Sequence, residues 1–120
     1  MYFSRELILG LLLESDKLEF NNEQILETFI LLKQIINDET IYTKDLNKEL
    51  DSFWCNYYYI ENGFYKLKDI NNKEILHIAA FNLLKDILKI NKYSDLKIND
   101  IVLNIKEEIP KMFKQKTLVK

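Results

Sequence analysis

A chain of 120 residues, 48% apolar and 30% charged, is long enough to bury a core and too ordinary in composition for a disordered tail. Two Gly and one Pro leave few places for tight turns, which disfavours an all-β fold, and a single Cys excludes an intrachain disulfide and cysteine-rich zinc chemistry. The net charge of −2 conceals a gradient: residues 1–64 carry five basic against twelve acidic side chains, residues 65–120 twelve basic against seven acidic.

No repeat, low-complexity tract or linker divides the chain, which reads as one domain over 1–120. Ser4 is a good N-cap, and the apolar run that follows nearly surrounds a first helix to about Ser15, marking it as central and buried. Residues 7–13 are also long enough for a signal-peptide core. Glu6 cancels Arg5, however, and no small-residue cleavage site follows, so a cytoplasmic protein is expected, in keeping with the lone Cys55.

After a turn over 16–22, Asn21 and Gln24 have the spacing of a capping box for a second helix to about 37. Its inward stripe is Ile25, Phe29, Leu32 and Ile36. Thr43 opens a third helix with the stripe Leu46, Leu50, Phe53, Tyr57 and Ile60, and Gly63 stands where a left-handed C-cap is needed. Asn62-Gly63 between tyrosine-rich flanks is equally a hairpin signal, giving strands near 57–61 and 64–68. The unbroken stripe favours the helix.

Asn71 and Glu74 open a fourth helix to about Ile90, with Leu76, Ala80, Leu83, Leu84, Ile87 and Leu88 inward. Ser94 opens a fifth, carrying Ile98, Ile101, Val102, Ile105 and Ile109. Pro110 kinks or ends it, leaving 111–120 as a fraying basic tail. The fold expected is therefore all-α, a compact bundle of about five helices. The minority alternative is a winged-helix-like α+β fold with one hairpin near 57–68.

Catalytic and metal chemistry finds little support. His77 is the only histidine, and the Glu74-x-x-His77 spacing would need a second such pair to hold two metal ions in a bundle. Cys55 lacks a base within any known motif, and two glycines build neither a phosphate-cradling loop nor a dinucleotide turn. No enzyme activity, cofactor or metal is expected.

Seven of the fifteen aromatic residues fall in 53–65, where the acidic part meets the basic one. On a helical wheel Leu46, Leu50, Phe53, Tyr57 and Ile60 cluster within about 40°, while Trp54, Tyr58 and Asp51 sit together beside them. Tyr and Trp bury much surface at low rotamer cost, and carboxylates beside them favour a Lys- or Arg-rich partner. The expected partner-binding residues are Glu49, Asp51, Trp54, Tyr58, Tyr59 and Glu61.

The expected function is that of a small non-enzymatic binding or inhibitory protein acting by stoichiometric protein–protein interaction with a basic partner. That profile is similar in kind to the small acidic immunity proteins that neutralise nuclease toxins. Asn56-Tyr57-Tyr58 invites comparison with their tyrosine-bearing helix, but the accompanying acidic and proline positions are missing, so no residue is transferred.

Two alternatives stand beside it. One is a winged-helix-like nucleic-acid-binding regulator, with 43–54 as its recognition helix and Lys66, Lys68 and Lys73 on phosphates. The net charge of −2 over 43–61, two basic against four acidic side chains, weighs against it. The other is a homo-oligomeric structural protein.

Overall fold

The computed structural model describes residues 3–43 and 56–118. Helix α1 (Arg5–Leu12) begins where the Ser4 hydroxyl accepts the Leu7 N–H at 3.2 Å. Leu7, Leu11 and Leu12 are wholly buried, so α1 is the central helix, packed most extensively on the helix Lys73–Ile90 and also on the helix Asn22–Ile36.

Strand β1 (Glu19–Asn21) then places Phe20 in the core, a strand within what reads in sequence as a turn. Helix α2 (Asn22–Ile36) starts on the expected capping box. Asn21 Oδ1 accepts the Gln24 N–H and Gln24 Oε1 accepts the Asn21 N–H, both at 2.9 Å. Asn37 ends the helix in the left-handed region, with φ 51°.

Segment 38–43 is fastened to the far side of the molecule. Asn91 Oδ1 accepts the Tyr42 N–H at 2.8 Å and Asn91 Nδ2 donates to the Tyr42 carbonyl at 2.9 Å, mimicking one rung of a sheet. The Tyr93 hydroxyl donates to Asp38 Oδ2 at 2.8 Å.

The chain is mixed α+β, not an all-α bundle of five helices. Strands β2 (Tyr58–Glu61) and β3 (Phe64–Leu67) form a hairpin where a helix to Glu61 was expected. The physical reason is twofold. Asn62 (φ 53°) and Gly63 (φ 81°) are consecutive left-handed residues, the requirement of a two-residue hairpin turn. In addition β1 supplies β3 with a second partner, giving the antiparallel order β1-β3-β2. Register runs Phe20↔Tyr65 and Ile60↔Tyr65, with Tyr58↔Leu67 below. Phe20, Tyr58 and Tyr65 all point into the core. Residues 44–55, most of the expected third helix, lie outside the described residues.

A short 3₁₀ turn (Ile70–Asn72) follows, capped by Asp69 Oδ1 accepting the Asn71 N–H at 2.9 Å. It displaces the expected Asn71 cap, and helix α3 (Lys73–Ile90) begins two residues later. Its buried face is Leu76, Ala80, Phe81, Leu84, Ile87 and Leu88, with Leu83 only partly buried. Helix α4 (Asp95–Leu118) runs through Pro110 and does not stop at Ile109. Ile105 and Ile109 are fully buried on one side of the proline. On the other, the Phe113 ring meets Phe20 at 6.1 Å, so packing on both sides outweighs the lost helical bond.

Candidate interaction surface on the outer sheet face

Strand alternation divides the tyrosine cluster. Tyr58 points inward and is 8% exposed, so its expected role in partner binding is withdrawn. Among the described residues its hydroxyl finds no hydrogen-bond partner, and burial pushes its pKa up. Tyr59, one residue on, points outward and is 41% exposed. Glu61 shares that outward face, so two of the six expected binding residues are brought together. Glu49, Asp51 and Trp54 lie outside the described residues.

The outward face is organised by Lys66, the central side chain of the middle strand. Its ammonium lies 3.0 Å from Glu61 Oε1 on β2 and 3.5 Å from Glu19 Oε2 on β1, stitching all three strands. The hydrogen bond that Lys66 donates to Glu61, with Glu19 adding to it, holds the Lys66 pKa above its ordinary value. A lysine so engaged is a poor free cation for a phosphate.

Beside this triad a shallow groove of about 200 Å³ is lined by Leu18, Glu19, Tyr59, Lys66, Leu67 and Ile70. Ile70, at the start of the 3₁₀ turn, is 61% exposed. It also lines a second groove of about 480 Å³, with Leu13, Glu14, Asn71, Lys73, Glu74 and His77. Ile70 is thus common to both grooves, an exposed apolar side chain set among Glu19, Lys66, Asn71, Lys73 and Glu74.

Within the larger groove His77 Nε2 is hydrogen-bonded to Glu14, tying α3 to the residues after α1, and the imidazole leans on Phe81 with ring centres 5.0 Å apart. Among the described residues no three His, Cys, Asp or Glu side chains converge to hold a metal ion. Nor, among those residues, is any helix long and apolar enough to cross a membrane.

Sequence reasoning missed Ile70 and Leu18. The available signal was an isolated apolar residue in a polar run, Asp69-Ile70-Asn71-Asn72, where no helical or strand period calls for one. No protein-family model matches this chain, and no curated protein or solved structure is significantly similar to it.

Proposed function

We propose that the protein acts by binding another protein stoichiometrically, through the outer sheet face and the Ile70 turn. The observation that carries this reading is the pairing of exposed Tyr59 and Ile70 on one grooved surface whose central lysine is already neutralised. Apolar and aromatic side chains at the centre of a patch with a polar rim are what an interface requires. On that rim the four carboxylates of Glu14, Glu19, Glu61 and Glu74 outnumber the ammonium groups of Lys66 and Lys73, and this excess suits a basic partner, including a nuclease-like one that the protein would inhibit.

Co-purification from the native host tests this. Tyr59→Ala with Ile70→Ala is expected to weaken capture at least about tenfold, since both would be central anchors. Thermal stability should hardly change, because both side chains are exposed in the free protein. Undiminished capture by a folded double variant would reject this surface.

A second reading rests on the strand order. Helix, strand and helix followed by a hairpin whose second strand is central is the element order of a winged helix. Fold alone does not assign function. Nucleic-acid binding would be supported by duplex affinity falling steeply with salt and lost in Lys68→Ala/Lys73→Ala.

A further inference from the structure

Helix α4 carries an outward strip that no other described element covers. Counting 100° per residue, Leu96, Asp100, Leu103, Glu107 and Lys114 lie within about 60° of one another, with Pro110 and Lys111 on its two flanks. Leu96 is 75% exposed and Leu103 58%, each on the side of the helix opposite the buried Ile98, Ile101, Ile105 and Ile109. The signs along this strip are ordered: Asp100 and Glu107 come first, and Lys111 and Lys114 follow.

We propose that this strip pairs with the same strip of a second copy of the chain, antiparallel, about a two-fold axis level with Ile105 and Lys106. Antiparallel pairing at that level brings Asp100 opposite Lys111 of the second copy on one flank. On the other flank Leu103 packs against Pro110, and each contact occurs twice. Glu107 lies near its own counterpart across the axis, a like-charge contact that Asn104 of the second copy offsets by donating to it. A parallel arrangement would set like charges against each other.

Among the described residues Lys111 is held only by the exposed pair with Glu108 at 3.2 Å, so it is available for exchange. The second copy is the occupant because the acid-then-base order is complementary to its own reverse. A single 24-residue helix is about 36 Å long and offers a few hundred Å² per partner, so the dimer is weak and reversible.

Sedimentation equilibrium of the full chain, from about 5 μM to 1 mM, is expected to show a monomer–dimer equilibrium in the tens to hundreds of micromolar. Leu103→Glu and Asp100→Lys should each weaken it at least about tenfold, and Asp100→Lys combined with Lys111→Asp should restore it to within about threefold of the original. The three altered positions, Asp100, Leu103 and Lys111, are exposed, and circular dichroism on each variant checks that the fold stands. A chain monomeric at 1 mM overturns the proposal, as does a dimer indifferent to Leu103→Glu or a charge swap that fails to restore association. A dimer broken by Tyr59→Ala but not by Leu103→Glu overturns it too, and assigns self-association to the sheet face instead.

Discussion

Adjacent tyrosines with opposite fates show how finely strand alternation sorts side chains. Tyr58 buries its ring in the same core as Phe20 and Tyr65, and in doing so strips its hydroxyl of water without an acceptor among the described residues. A buried hydroxyl with no partner costs about 1–3 kcal/mol relative to one that is satisfied. Tyr58→Phe keeps the ring and removes the orphan, so it is expected to leave stability unchanged or raise it by about 1 kcal/mol, read as the midpoint of urea unfolding. A loss of more than about 1 kcal/mol would mean that the hydroxyl is satisfied in solution. Tyr59 reaches water from the same strand because a one-residue step reverses the face.

The hairpin depends on its turn. An added Cβ at Gly63 would meet nothing within 4 Å, so the glycine is there for its φ of 81° and not for space. Gly63→Ala is therefore expected to destabilise by about 1 kcal/mol, through backbone strain alone, with hydrogen exchange accelerated in β2 and β3 before the helices. Equal protection in both proteins would show that the turn tolerates a side chain.

The same turn explains which parts of the fold were legible. Ser4, the Asn21–Gln24 box and the apolar stripes of α1, α2, α3 and α4 are local signals, and each helix starts close to where they pointed, although α4 runs on through Pro110 to Leu118. The helix expected through Glu61 rested on a stripe whose last two members, Tyr57 and Ile60, have helical spacing; the strand instead turns Tyr58 inward and leaves Ile60 64% exposed. What decided against it was β1, whose pairing with β3 spans more than forty positions and leaves no local mark on a three-residue segment. The candidate surface inherited that blindness. Tyr59 and Glu61 were named for a helical face and meet on a sheet face, while Ile70 and Glu19 join them only through the tertiary fold.

At the scale of the molecule, the acidic and basic parts of the chain are joined by named pairs: Glu19 and Glu61 to Lys66, Glu14 to His77, and Asp38 to Tyr93. The last pair gives stability a dependence on pH at both extremes. Burial and the bond to Asp38 push the Tyr93 phenol from 10.0 up to about 12. Its contribution is thus fully present below pH 10 and is lost as pH rises through the folded value. Hydrogen bonds from Thr40 and then Tyr93 hold Asp38 below its ordinary 3.8, so its contribution is present at neutral pH and lost as acid protonates it. Tyr93→Phe is expected to flatten the alkaline limb of a stability–pH profile between 10 and 12 while lowering stability at pH 7 by about 1 kcal/mol. An unchanged alkaline limb would place the titration elsewhere.

The ring contact between Phe113 and Phe20 carries a temporal corollary. Phe20 is synthesised early and completes its surroundings only when the carboxyl-terminal helix arrives against it. Without α4 the β1 segment lacks the ring that closes over Phe20, so a product truncated before that helix is expected to be cut by proteases faster than the 120 residues together.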